Sequence, residues 1–113
     1  NTLKGGERIR VTDYSTLEGE PEDLSRDARL LRFAKPKYTE EAISAELEGV
    51  FIIDVYINNN GQVEDAELRD SVGYGMDKLL IKAALEALFD PRKDSFGKAL
   101  STWHEIKVKL ELP

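Results

Sequence analysis

Residues 50–57, VFIIDVYI, then NNNG, then a second run, QVEDAELRDS, constrain the fold more than any other part of the chain. Phe51, Ile53, Val55 and Ile57 recur at every second position and form one apolar face, while Val50, Ile52, Asp54 and Tyr56 form a mixed opposite face. That is the period of a strand, not of a helix. Asparagine and glycine in residues 58–61 supply the positive φ angles of a tight hairpin turn at little steric cost. In the return run Val63 has the opposite parity to Ala66 and Leu68. A bulge near Glu64 and Asp65 is expected to bring all three to the core face.

The apolar face of this hairpin needs a cover. In residues 73–89, GYGMDKLLIKAALEALF, the residues Met76, Leu79, Leu80, Ala83, Ala84, Ala87 and Leu88 recur with helical spacing. The alanines let such a helix lie close on a sheet. A second, shorter helix is predicted in YTEEAISAEL: Thr39 caps it, Glu40 and Glu41 complement its dipole, Tyr38 staples to Ile43 and Gly49 ends it. In the last strand Ile106, Val108, Leu110 and Leu112 face the core, and Glu105, Lys107, Lys109 and Glu111 face outward. Residues 90–97, DPRKDSFG, read as a turn-rich link. The reading is an α+β two-layer domain, an antiparallel three-stranded sheet packed against two helices.

Residues 1–34 are read as an N-terminal extension able to add a strand, and residues 35–113 as the domain. ERIRVTDY, residues 7–14, alternates as a short strand, and residues 15–25 read as a loop. RDARLLRFAK fits a helix turn or an extended strand, and periodicity does not decide between them. Pro36 disfavours the helical region at Lys35.

Composition narrows the function classes. The 113 residues carry a formal net charge of -6, which argues against a nucleic-acid partner or an anionic membrane surface. The chain has no cysteine, hence no disulfide, zinc-thiolate site or cysteine nucleophile. No apolar run has the length of a membrane span and no signal peptide is visible. The start at Asn1 suits an excised fragment, with any anchoring segment upstream. His104, the one histidine, sits beside Trp103 with no nucleophile elbow near it. Gly73 and Gly75 form a lone G-x-G without the remainder of a phosphate-binding motif, and a flexible start to the helix is the better reading. The acids have neither EF-hand spacing nor a histidine cluster. The chain reads as a binding module, not an enzyme, with no cofactor and no metal. The last strand has two readings: an edge protected by its charges, or a free edge to which an extended peptide adds.

From Lys35 to Leu112 the chain resembles the C-terminal domain of TonB-family energy transducers. PKYTEEA resembles the family's Pro-x-Tyr-Pro-x-x-Ala segment, with Thr39 in place of the second proline. LEGVFIIDVYINNNGQVEDAEL resembles its Glu-Gly, long strand, Asn-Gly turn and Gly-x-Val return. DSVGYGMDKLLIKAALEAL is similar to its Ser-x-Gly, Asp and Ala-rich helix; LFDPRKDSFGKAL to its Phe-x-Pro turn; and WHEIKVKLEL to its closing strand. The aromatic usual before the Phe-x-Pro turn is absent, and the acidic balance departs from the family's basic members.

The resemblance implies a periplasmic domain anchored to the inner membrane of a Gram-negative cell by an upstream segment and coupled to a proton-driven motor. It would grip the TonB box of an outer-membrane transporter as a strand added beside its last strand. The partner-binding residues so implied are Lys37, Tyr38, Trp103, Glu105, Ile106, Lys107, Val108, Lys109 and Leu110. Family members also dimerise by pairing or exchanging these strands. The alternative is a TonB-like scaffold module in a secretion, motility or adhesion machine of the envelope.

Overall fold

The computed structural model describes residues 22–113. In chain order the elements are β1 (Arg29–Arg32), α1 (Glu40–Ser44), β2 (Gly49–Ile57), β3 (Val63–Leu68), α2 (Asp77–Leu85), β4 (Leu88–Asp90), β5 (Arg92–Lys93), β6 (Ala99–Leu100) and β7 (Thr102–Leu110). The main sheet is antiparallel and three-stranded, in the order β3-β2-β7. The predicted α+β architecture is the observed one. The strand expected in residues 7–14 lies outside the described residues.

β2 is the central strand. Its odd residues Ile53, Val55 and Ile57 are buried, together with Ile106, Val108 and Leu110 of β7 and Met76, Leu80 and Ala84 of the α2 region. Tyr56 stands opposite Asp65 and Ile57 opposite Val63, so Glu64 is the extra residue of the expected bulge. Val63, Ala66 and Leu68 all pack on the core.

The hairpin turn differs from the expected one. Of its residues only Gly61 has positive φ, +83°. Asn58 organises the rest, its side-chain oxygen accepting from the amides of Asn60 (2.9 Å) and Gln62 (3.0 Å). Gly61 is also a joint between layers: its carbonyl accepts from Phe89 N–H at 2.9 Å, which seats β4 against the turn. A Cβ on Gly61 would lie 2.0 Å from the Phe89 carbonyl oxygen.

Both helices stop earlier than the sequence predicts. α1 ends at Ser44, not at Gly49; Ala45 is its C-cap and Glu46 turns the chain at φ 54°. Gly49 instead opens β2. Thr39 caps as predicted, accepting from Ala42 N–H at 3.0 Å, and its hydroxyl donates to the Tyr74 carbonyl. α2 ends at Leu85, and Leu88 starts a strand, so Leu88 is exposed, as is Leu79. Ala87 and Leu88 continue the helical spacing past the helix end, but β4 turns Phe89 inward and Leu88 outward. β7 ends at Leu110, so Leu112 leaves the core face and is 39% exposed. Part of the expected link forms a small hairpin, β5 with β6.

The GYG loop ahead of α2 has a structural cause. Asp77, in the first turn, accepts from the Ser71 hydroxyl (2.6 Å) and from the amides of Val72 and Gly73 (2.9 Å each). This closes the loop on the helix start and accounts for the Ser-x-Gly…Asp spacing. The extension contributes β1, but on β4, not on the main sheet: Arg29 faces Asp90 and Leu30 faces Phe89. Further out, Arg26 and Lys93 exchange main-chain bonds at 3.2 and 3.0 Å, and Leu24 N–H donates to the Ser95 carbonyl at 3.0 Å. Asp90 ties this arm down through Arg26, Arg29 and Lys93.

Two outcomes follow from these joints. Gly61→Ala is expected to cost about 3 kcal/mol or more, because the new methyl meets a backbone carbonyl at a left-handed φ, read as a lower urea midpoint. The Ser71 hydroxyl first, then Gly73 N–H, and lastly Val72 N–H hold the Asp77 carboxyl below its ordinary value against the opposing effect of burial. A depressed folded-state value stabilises above the unfolded value and is lost as pH falls through the folded one. Thermal unfolding followed down from neutral pH therefore shows a loss beginning near about pH 4 in the parent, and a smaller loss in Asp77→Asn, which starts less stable.

Candidate functional site

Which main-chain groups of β7 face outward follows from the pairing of β2. Arg69 N–H donates to the Ile52 carbonyl and Asn58 N–H to the Gln62 carbonyl, so the even residues of β2 bond toward β3. In an antiparallel strand the bonding direction alternates, so its odd residues bond toward β7. Their partners there are Thr102 opposite Ile57, His104 opposite Val55, Ile106 opposite Ile53 and Val108 opposite Phe51. The main-chain groups of Trp103, Glu105, Lys107 and Lys109 are therefore directed to the outer edge. Among the described residues no strand pairs with that edge.

This places the residues expected to bind a partner in two groups. Trp103, Glu105, Lys107 and Lys109 present both exposed side chains and outward main chain. Ile106, Val108 and Leu110 are at most 3% exposed, and alternation turns their main chain toward β2. They hold the edge in place.

Lys37 and Tyr38 lie far from β7 in sequence but beside its end in space. With Lys35, Pro36, Ile43, Glu111 and Pro113 they line an open groove of about 470 Å³. Tyr38 packs on the core, and its hydroxyl donates to the Leu47 carbonyl at the end of the α1 turn. Burial first, then the charges of Glu48 and Glu111, raise its pKa. Ile43, its expected staple partner, is 44% exposed and shares the groove. The segment before α1 thus continues the β7 edge.

The outer face of the sheet carries a second feature that the local sequence pattern gives no sign of. Arg69, just past β3, binds Asp54 of β2 with two nitrogens and Glu105 of β7 at 2.8 Å. The Asp54 hydrogen bond first, then that of Glu105, raises its pKa, so the guanidinium stays charged throughout the ordinary range. The clamp crosses all three strands and fixes Glu105 at the outward edge. Beside it Asp54, Glu67, Trp103 and Glu105 border an open concavity of about 380 Å³. The Trp103 ring is tilted against Tyr56, with centroids 5.4 Å apart. His104 points the other way, its ring edge against Phe89. Among the described residues no His, Cys, Asp and Glu group has the arrangement of a metal site.

Cutting the Arg69 clamp has a measurable signature. Arg69→Met is expected to lower the urea midpoint modestly at low salt, because the network is bidentate but half-exposed. The difference from the parent shrinks in about 1 M salt, where exposed charges are screened. Urea unfolding at the two salt concentrations reads both.

Comparison with known proteins bears on this geometry. A family model described as the Gram-negative bacterial TonB protein C-terminal matches residues 34–112. A search of curated proteins finds no match. The family match spans α1 through β7, so it takes in both the outer edge and the groove beside it. The chain belongs to the TonB C-terminal family, a family of periplasmic, non-enzymatic energy-transducer domains.

Proposed function

We propose that this TonB C-terminal domain grips an extended peptide of an outer-membrane transporter by adding it as a strand to the outer edge of β7. The observation that carries the reading is that edge: Glu105 and Lys107 direct main-chain N–H and C=O groups outward, and no strand pairs with them among the described residues. An added strand takes up such groups at the ordinary inter-strand spacing and gains one hydrogen bond for each. The groove at Lys37 and Tyr38 receives the end of the peptide that runs beyond Lys109. Trp103 and Glu105 meet side chains on the outer face.

A main-chain grip suits a transducer, because force passes through a ladder of bonds and no reacting group is needed. Upstream, the domain would connect to an inner-membrane, proton-driven motor. No helix among the described residues is long and apolar enough to cross a membrane, so the anchor of this reading lies elsewhere than in the described chain.

The test is a photo-crosslinker in place of Lys107 in cells, with the captured partner identified by mass spectrometry. Capture of the periplasmic segment of an outer-membrane barrel is the expected result. A self-crosslink, or capture of a non-barrel envelope protein, would instead favour the scaffold role and sink the transporter reading. Lys107→Pro, read with the crosslinker moved to Glu105, supplies a second check. Proline removes an outward N–H and leaves the bonds of Ile106 and Val108 to β2, so it is expected to weaken capture about tenfold while the domain stays folded.

A further inference from the structure

The outward main-chain groups of β7 are not equally free. The Trp103 carbonyl accepts from the hydroxyl of Thr102, its neighbour on the same strand, at 3.2 Å. The Lys109 carbonyl accepts from Lys35 Nζ at 2.5 Å, and Lys35 comes from the segment before α1. Pro36 favours extended backbone at Lys35, which keeps the residue off the helix and alongside β7. A strand added to β7 would need the Lys109 carbonyl for one of its own amides, and it meets an ammonium there. A lysine laid across a sheet edge is a known means of stopping unwanted pairing.

The surrounding charge shows what could move that ammonium. Lys35 and Lys37 line the groove, and Lys107 and Lys109 stand on the outer face of the adjoining strand end. The carboxylates at this end are already engaged: Glu111 lies 3.9 Å from the Lys109 ammonium, and Glu48 accepts from Leu112 N–H at 3.3 Å. On a chain with a net charge of -6 this is a local excess of positive charge.

We propose that Lys35 is a displaceable stop on the β7 edge, which yields to an extended peptide bearing a carboxylate near its Lys109 end. The proposal rests on the strand-addition reading and deepens it by naming the chemistry of the peptide. An acidic side chain offers the displaced ammonium a charge-assisted hydrogen bond, stronger than the carbonyl bond it gives up. A neutral peptide offers no replacement, and its ladder ends at Lys107. Lys35 thus shields the edge in the free domain and selects among peptides when one arrives.

The experiment uses capped peptides of about ten residues that alternate threonine and valine, an extended pattern suited to strand addition. Each carries a single aspartate or a single asparagine, moved through every position in turn. Binding is followed by NMR from the amides of Glu105, Lys107 and Lys109. With aspartate near one end, binding to the parent domain is expected to be about tenfold tighter than with asparagine at the same place. Lys35→Met is expected to bind the asparagine peptides more tightly than the parent does and to lose most of the aspartate preference; Lys35→Arg keeps that preference. An aspartate preference unchanged in Lys35→Met, with the β7 amides still shifting, overturns the stop and leaves strand addition standing. No shift of these amides with any peptide overturns strand addition and the stop with it.

Discussion

The central place of β2 is the constraint on which the rest of the structure depends. It is hydrogen-bonded on both sides, and its odd residues form the middle of the core. In a strand, side-chain face and bonding direction alternate together. Once Ile53, Val55 and Ile57 are committed to the core, their main-chain groups are committed to β7. Their partners Ile106 and His104 must then turn inward, and Glu105 and Lys107 outward. The register of the core therefore decides which groups the outer edge displays. A slip of one residue would exchange the two sets and put Lys107 where Ile106 now lies.

The same coupling separates holding from gripping. Ile106 and Val108 anchor β7 through buried side chains and bonds to β2, whereas Trp103, Glu105 and Lys107 face solvent with side chain and main chain alike. The edge can give its outward bonds to a partner without taking any from the core. Arg69 reinforces this from the outer face by tying Glu105 to Asp54. The turn at Gly61 holds β4, and β4 pairs with β1 and holds the arm through Asp90, so the described part of the N-terminal extension is paired with β4 and not with the β7 edge.

The parts of this arrangement legible in the sequence are those with a local cause. Alternation in residues 50–57 and 106–110, the parity break at Val63 and the cap at Thr39 are each written within a few residues, and each took the predicted form. The helix ends were not legible in the same way. α1 stops where Glu46 adopts a left-handed φ that no glycine announces, and α2 gives way to β4 because Phe89 bonds to Gly61, far off in the chain. Leu88 fits a helical stripe by spacing alone and is exposed once the helix has ended. The site divides along the same line. The outward residues of β7 follow from parity, whereas Lys35 on the Lys109 carbonyl, Arg69 across three strands and Tyr38 under the Leu47 carbonyl are long-range contacts with no periodic signal.

Charge completes the connection between edge and partner. A main-chain ladder is nearly blind to sequence, so side chains at its borders must supply discrimination. Here the two ends of the edge differ in sign. Glu67, with Asp54 and Glu105 partly neutralised by Arg69, borders the Trp103 end, while Lys35, Lys37, Lys107 and Lys109 gather at the other and outnumber Glu48 and Glu111 there. A strand laid along β7 with its own charges reversed end for end would meet like charge at both borders. In the proposed strand addition the edge would set the direction in which a charged peptide lies as well as the place where it binds. For a domain that transmits a pull, direction matters physically: a strand drawn along its own axis loads every bond of the ladder together, whereas one drawn away from the sheet at one end breaks them in turn.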